Sequence, residues 1–393
     1  MDFALSAQQK LLIETVRRFV HTELLPLEDE VEEQGRLAPD TARDIFEKSK
    51  ALGLYATNIP VKLGGGGLSA VDTCLVEEQF GHTSDILIRR AFGNVYEVLL
   101  LADEQQSERW LKPAVRGERT FSVAFTEPGA GSDAAGITTR ARRDGEGWRL
   151  SGQKIFISDG QFSDFFVVSA VTEPDAGARG ISLFIVDKDA TGVTVGPDQP
   201  MMGLRGTSHV ALFFDDVHLG PGHLLGEEGR GLKHALETLG RIRLSQIGAR
   251  AVGKATRILD ITTQYAQERR QFDQPIGEFQ LIQQMLADSA IEINAARLLV
   301  LQAAGELDRG GDARERISMV KVFAAEMLGR VADRAVQIHG GMGFCRDLPI
   351  ERYYRDARIY RIFDGTSEIH RTVVGRALMK QGAGRLVDIT QFT

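Results

Sequence analysis

Two stretches of this chain carry residue types that can do chemistry. The first is Asp364-Gly365-Thr366-Ser367-Glu368. A carboxylate ahead of glycine and hydroxyl residues can cap a helix or make a turn. It can also take a proton from a bound molecule as a general base. The second is Ala124-Phe125-Thr126-Glu127-Pro128-Gly129-Ala130-Gly131-Ser132-Asp133. A strand ending at Thr126 and breaking into small residues exposes backbone N–H groups beside a hydroxyl. Such a turn can hold a ring edge or a pyrophosphate. Gly64–Gly67 lacks the Lys-Ser/Thr ending of a phosphate loop and reads as a structural turn before a helix near Ala70. The Gly340-Gly341 pair is no dinucleotide-fold fingerprint, because no strand precedes it.

The elements that must position these residues fall into three blocks. Residues 1–120 read as helices. Ser6 precedes the apolar series Leu11, Leu12, Val16, Phe19, Val20, with Gln9 placed to complete a capping box. Asp40 opens a second run, Glu77–Leu101 a third and Gln105–Val115 a fourth. Residues 121–230 change to strand grammar, with short apolar runs at Phe121–Thr126, Trp148–Gly152, Lys154–Ser158, Phe165–Ala170, Ile181–Val186 and Val210–Phe214. Asp, Gly, Glu and Pro separate them, and no helix lies between, which predicts an antiparallel sheet or barrel. Residues 231–393 return to the helical period, in runs Gly240–Arg269, Phe279–Asp308, Ile317–His339, Leu348–Ile362 and Ser367–Gln381.

Composition narrows the function classes. An apolar content of 43% over 393 residues supports a sizeable core. The net charge of −7 argues against nucleic acid as the main partner. Two cysteines, Cys74 and Cys345, form neither a disulfide framework nor a zinc site, and no metal is expected. Met1-Asp2-Phe3-Ala4-Leu5-Ser6 lacks the basic and apolar regions of a secretory signal, and no apolar run reaches membrane-spanning length. A cytoplasmic protein without membrane partners is the expectation.

Over nearly its whole length the chain closely resembles the acyl-CoA dehydrogenase flavoproteins. The resemblance rests on Ala124–Asp133, on Lys154-Ile-Phe-Ile-Ser-Asp-Gly160, on Arg269-Arg-Gln-Phe-Asp-Gln-Pro-Ile276, on Gln337-Ile-His-Gly-Gly-Met-Gly-Phe344 and on Ile362–Arg371. It implies an α+β fold: an N-terminal helical domain, a middle antiparallel β domain and a C-terminal four-helix bundle. It implies FAD, held by Phe125, Thr126, Phe156, Ser158, Arg269, Gln271, Phe272, Gln337, Gly340, Gly341, Thr366 and Glu368. Arg269, Gln337, Gly340 and Gly341 would reach the FAD of a neighbouring subunit, which implies a homo-oligomer, usually a tetramer. Arginine suits this because its fork grips phosphate through two bonds, and glycine lets the backbone come close to a ligand. Asp273 stands where relatives have glycine, and Phe156 and Ser158 stand for Trp and Thr. An acyl-CoA would lie against Ser132, Arg89, Arg243, Phe363 and Gly365, and electrons would pass to an electron-transfer flavoprotein.

Two departures shape the functional expectation. Asp364 replaces the glutamate that many relatives use as catalytic base. One methylene fewer withdraws the carboxylate by about 1.5 Å, and misplacement of that order can cost ~10²-fold in rate if nothing compensates. Ile242 and Arg243 fall where other relatives carry the base, and neither is acidic. Arg89-Arg90 falls where relatives line the far end of the acyl pocket. Neighbours on a helix lie about 100° apart, so at most one should face the pocket, and alignment on Gly93 selects Arg89. A guanidinium there would suit an anionic acyl tail. The expected activity is α,β-dehydrogenation of an acyl-CoA, with an acidic or alicyclic acyl group in view. The alternatives are removal of a β-leaving group, as in desulfinases of this fold, and a catalytically silent flavin-binding relative.

Overall fold

The computed structural model of this chain describes residues 4–92 and 95–387. Met1–Phe3, with part of the N-terminal signal reading, lie outside the described residues, and so do Gly93, Asn94 and residues 388–393.

Ser6 starts the first helix, Ala7–Phe19. Its hydroxyl accepts from the Gln9 N–H at 3.1 Å, and the Gln9 side chain accepts from the Ser6 N–H at 3.0 Å, the reciprocal cap that the spacing predicts. After a short helix, Glu28–Gln34, the helix Pro39–Ala51 opens with proline at its first position, so Asp40 lies inside the first turn instead of before it. The region 77–101 is not one helix. Ala70–Phe80 ends at Gly81, Asp85–Phe92 follows, and a short 3₁₀ turn covers Glu97–Leu101. Close packing requires glycine at the break. A Cβ on Gly81 would lie 2.5 Å from the Arg250 carbonyl oxygen, and one on Gly253 only 1.8 Å from that of Glu78. Backbone meets backbone there, which only glycine permits. The Gly64–Gly67 turn is structural in the same sense, since a Cβ on Gly65 would lie 2.2 Å from the Ile59 carbonyl.

Eight strands make the middle sheet: β1 Phe121–Ala124, β2 Arg140–Asp144, β3 Gly147–Ser158, β4 Phe165–Val171, β5 Ile181–Asp187, β6 Val193–Asp198, β7 His209–Leu219 and β8 Leu224–Leu225. Their order is β6-β7-β3-β2-β4-β5-β8, with β1 beside β4. Most pairs are antiparallel, as the sequence predicts. The β1–β4 pair is parallel, with Phe121 opposite Phe165, and β2 meets β4 in parallel at Arg140 and Val171. The runs 148–152 and 154–158 join into one strand, β3, whose register against β7 shifts twice, the second time between Lys154 and Ile157. Such a bulge re-aims side chains, and Phe156 sits in it at φ +58°. Strand β2 escaped the periodic reading because it is Arg-Ala-Arg-Arg-Asp, with only Ala141 buried.

Strand β4 separates two apolar cores by its two-residue period. Phe165 and Val167 pack with Trp110 and Leu111 of the N-terminal block, while Phe166 and Val168 pack with Trp148, Leu150 and Val210. The C-terminal block has four long helical rods: 231–268, Gln280–Asp308, Arg314–His339 and Ser367–Gln381, with Ile350–Ile359 between the last two. The first rod is α-helical to Ile242, π-helical over Arg243–Ala249 and α-helical again from Arg250. No helix among the described residues is long and apolar enough to cross a membrane.

Gly253→Ala should destabilise the protein by roughly 3 kcal/mol or prevent folding, because overpacking here meets rigid backbone. Gly329→Ala, whose added Cβ meets nothing within 4 Å on the helix Arg314–His339, should stabilise it by about 0.5–1 kcal/mol. Melting curves of the two variants check the contrast, and equal shifts would contradict the close crossing.

Candidate active site

Thr366 settles what Asp364 is not. The Thr366 hydroxyl accepts from the Ile369 N–H at 3.2 Å and caps the helix Ser367–Gln381, so Asp364 is not the cap. Asp364 sits at φ +52° and Gly365 at φ +92°. The Asp364 carbonyl, not its carboxylate, is held. It accepts from Arg243 Nε at 2.6 Å and from His370 Nε2 at 3.2 Å. A carbonyl only accepts, so Nε2 carries the proton of a histidine whose pKa burial, and then Arg243, push down to about 4. Among the described residues no group donates a hydrogen bond to the Asp364 carboxylate. Burial raises its pKa, and the charges of Arg243, Lys321 and Arg89 restrain that rise. Arg243 opens the π-helical stretch, and such bulges turn a side chain away from its α-helical direction, often at working sites. Lys321 is fully buried, donates to the Tyr360 carbonyl at 2.7 Å, and has its pKa lowered to about 8 by burial. Phe363 packs beside Asp364 on Tyr360, with ring centroids 5.1 Å apart.

Arg89 and Arg90 are not separated by the helix angle. Both side chains are largely buried, and both reach the same carboxylate. Arg89 Nη1 lies 3.0 Å and Arg90 Nη2 2.8 Å from Asp159. Burial opposes the charge on Asp159, but the two guanidiniums outweigh it and hold its pKa low. One acid between two bases leaves a surplus positive charge, and Arg89 Nε stays buried with no hydrogen-bond partner. The Arg89 charge is thus already engaged on the turn that follows Ser158. Arg243 has no carboxylate partner among the described residues and keeps only the Asp364 carbonyl.

The Thr126 turn is fixed by groups that its motif did not single out. Lys154 Nζ, fully buried on β3, donates to Glu127 at 2.8 Å, to Ser169 Oγ at 3.0 Å and to the Phe125 carbonyl at 3.2 Å. The Thr138 N–H donates to the other Glu127 oxygen at 2.6 Å, and the Thr139 N–H donates at 3.0 Å to the oxygen that Lys154 holds. Burial opposes the charge on both partners; the hydrogen bonds nonetheless pull Glu127 down to about 2, while Lys154 falls to about 8. The signal for this pair was present, since Glu127 lies in Ala124–Asp133 and Lys154 in Lys154–Gly160, but an alternating strand hides a lysine that points inward. The Thr126 carbonyl accepts from the Ile155 N–H at 2.9 Å. Phe156 is 55% exposed beside this turn. Ser132 lies exposed further along the same loop.

A third group lies at the far end of the helical block. Arg269 ends the helix Arg250–Glu268, and β9 Arg270–Gln271 pairs with β10 Gln274–Pro275 across Phe272 and Asp273. Both turn residues have positive φ, +51° and +65°. Asp273 therefore adopts the left-handed conformation that a glycine would favour, and the hairpin is kept. Tyr265 stacks on His339 at 4.2 Å, which brings this hairpin to the Gln337–Gly341 turn. Arg269, Gln271, Phe272, Gln337, Gly340 and Gly341 are all exposed, as is Glu368. Among the described residues no hydrogen bond or ion pair joins the hairpin group to the Thr126–Phe156 group.

Sequence comparisons agree with this arrangement. Three profiles match in succession: the N-terminal domain of acyl-CoA dehydrogenases over residues 6–118, the middle domain over 122–217 and the C-terminal domain over 229–379. The "probable acyl-CoA dehydrogenase fadE25" of Mycobacterium bovis is 38% identical, over 96% of this chain and 97% of its own. The chain belongs to the acyl-CoA dehydrogenase family. The 3-(aryl)acrylate reductase of Clostridium sporogenes is 36% identical over 95% of this chain and 99% of its own. A caffeyl-CoA reductase–Etf complex subunit of Acetobacterium woodii is 36% identical over 96% and 99%. Butyryl-CoA dehydrogenase from Megasphaera elsdenii superposes with a TM-score of 0.89, at 32% identity, covering 96% of this chain and all of that one.

Lys154→Met should cost about 3–5 kcal/mol, the usual effect of leaving one member of a buried pair uncompensated. Adding Glu127→Gln should recover part of the loss. Chemical unfolding of the three forms tests this, and a Lys154→Met protein as stable as wild type would contradict a structural pair.

Proposed function

We propose that this protein is an FAD-dependent acyl-CoA dehydrogenase with Asp364 as the base, acting on an acyl group that carries an anionic or strongly polar substituent. One observation carries the reading. The Asp364 carboxylate is relieved of capping, meets no hydrogen-bond donor among the described residues and lies among cations, while its carbonyl is held from two sides.

The residues fit the flavin. A Cβ added at Gly129, Gly131, Gly340 or Gly341 would meet no atom within 4 Å, so both turns have open space before them. Phe156 offers an exposed ring, Thr126 and Ser158 offer hydroxyls, and Arg269 offers a guanidinium. Family relationship and a neighbour solved as an FAD complex at 28% identity and TM-score 0.90 support the same cofactor. When bound, FAD supplies the acceptor for the β-hydride. The chain supplies the rest. Asp364 removes the α-proton. Its backbone N–H, fixed by the two bonds to the adjoining carbonyl, donates to the thioester oxygen as charge develops there. Phe363 covers the thioester. Arg243 and Lys321 stabilise the negative charge of base and enolate. Burial makes Asp364 a stronger base than a solvated aspartate, and the cations keep it ionised. Arg243 is the guanidinium best placed to meet an acyl anion, since Arg89 and Arg90 are engaged with Asp159. The exposed Phe272 (88%) and Phe344 (85%) support a homotetramer in which the hairpin group reaches a neighbour's FAD. The Etf-associated relative supports an electron-transfer flavoprotein as acceptor.

Anaerobic flavin bleaching against a panel of acyl-CoAs tests the reading, with succinyl- and glutaryl-type, cyclic and straight-chain esters. Wild type should bleach with at least one ester and favour the dicarboxylic ones. Asp364→Asn should bleach ~10²–10⁴-fold more slowly with FAD still bound; a near wild-type rate would remove Asp364 from the mechanism.

The pH profile has a defined sign. Activity needs the carboxylate, so kcat/KM should rise with pH through a limb lying above the ordinary aspartate range, then level off. Arg243→Met deletes a charge that holds this pKa down, so the limb should move to higher pH and the preference for acidic esters should fall. An unmoved limb would mean that Arg243 does not act on the base.

A further inference from the structure

Away from Asp364, a cavity of about 270 Å³ lies where the helix Ala7–Phe19 meets the helices Ala70–Phe80, Arg250–Glu268 and Gln280–Asp308. We propose that it binds a small phosphate-bearing anion.

The charges around it are unbalanced. Arg17, Arg257 and Arg297 line it, with His21 and His82, against the acids Glu78 and Asp260. Arg297 is already satisfied, holding both Glu78 oxygens at 2.9–3.2 Å and the Thr256 hydroxyl at 3.3 Å. Glu78 is thereby used. Arg17 Nε reaches only the neutral Gln79 side chain, at 3.1 Å. Arg257 Nε is buried with no hydrogen-bond partner. Asp260 is exposed and forms no ion pair among the described residues. Among the described residues, Arg17 and Arg257 thus line the cavity with no carboxylate bonded to either. An orphaned guanidinium N–H is costly in a protein interior, so a ligand that accepts from it gains that energy.

His82 reports the same field. Burial and then Arg17, Arg257, His21 and Arg297 lower its pKa to about 4, so its ring is neutral at pH 7 and has one N–H to give. Two forked cations match a dianion with several acceptor oxygens better than a single carboxylate. The volume lies just below the range of about 300–1,000 Å³ usual for drug-sized ligands, which suits phosphate with a small organic group. An occupant would join the first helix to the layer carrying Arg257 and Arg297, so binding should register as thermal stability.

The test uses FAD-loaded protein. Calorimetric titration with inorganic phosphate, and with glycerol 2-phosphate, is compared with potassium chloride at equal ionic strength. Thermal melting is followed in parallel. Saturable binding of phosphate or of the ester, with a rise in Tm that chloride does not give, is the expected result. Which of the two binds tighter tells a free phosphate from a phosphomonoester. Arg17→Gln and Arg257→Gln should each raise Kd about tenfold or more, with FAD content unchanged. If Arg257→Gln fails to fold, the exposed Arg17→Gln carries the comparison. No binding, an equal effect of chloride, or a Kd unaltered by these substitutions would overturn the proposal; in the last case the phosphate sits at the FAD or CoA site.

Discussion

The carbonyl of Asp364 is the point on which the site turns. A residue other than glycine at positive φ is strained by roughly 1 kcal/mol, and it stays there only if its surroundings impose it. Arg243 and His370 impose it by bonding to the carbonyl from two different helices. Thr366 takes over the capping that a free aspartate would otherwise perform. The result is a carboxylate with a fixed backbone and an unspent side chain. Gly365 is part of the same arrangement, since a Cβ there would lie 2.8 Å from His370 Nε2 and push away the histidine.

Buried charge links this point to the rest of the molecule. Glu28 receives Arg352 and Thr83, Glu77 receives Arg250, and Asp159 receives Arg89 and Arg90. Each tie joins elements far apart in sequence. Such pairs add little net stability over well-packed apolar groups, but breaking one is expensive, so they tolerate few alternative arrangements. The Asp159 tie is the one closest to function. It fastens the turn after Phe156 and Ser158 to the helix Asp85–Phe92, so the sheet and the N-terminal helices cannot shift independently around the site.

The sequence disclosed most of the fold because its periods were strong. The Ser6 cap and the helix Ser367–Gln381 emerge where the spacing puts them. Long-range packing was less legible. The need for glycine at 81 comes from Arg250, far along the chain, and no local pattern announces it. Strand β2 carries charge on its exposed positions and offers no alternation of apolar residues. At the site, motif resemblance pointed to Asp364, while the partners Asp159, Lys321 and His370 were hidden. Their roles come from what they meet in three dimensions. Arg89 shows the limit most plainly: the helix angle was right, yet a long side chain can swing to a carboxylate that its neighbour also reaches.

As the base proposed above, an aspartate is coherent with this surrounding. Losing a methylene costs reach, and the fixed backbone prevents Asp364 from drifting to recover it. Chemistry offers a compensation that geometry does not. A carboxylate in a desolvated setting is a stronger base, and three cations at a distance keep it ionised without donating hydrogen bonds that would blunt it. The same cations favour negative charge developing on a substrate next to the base. A glutamate side chain set on this backbone would extend further into that space. The aspartate and Arg243, which has no ion-pair partner among the described residues, therefore suit the proposed role together: less reach, more field.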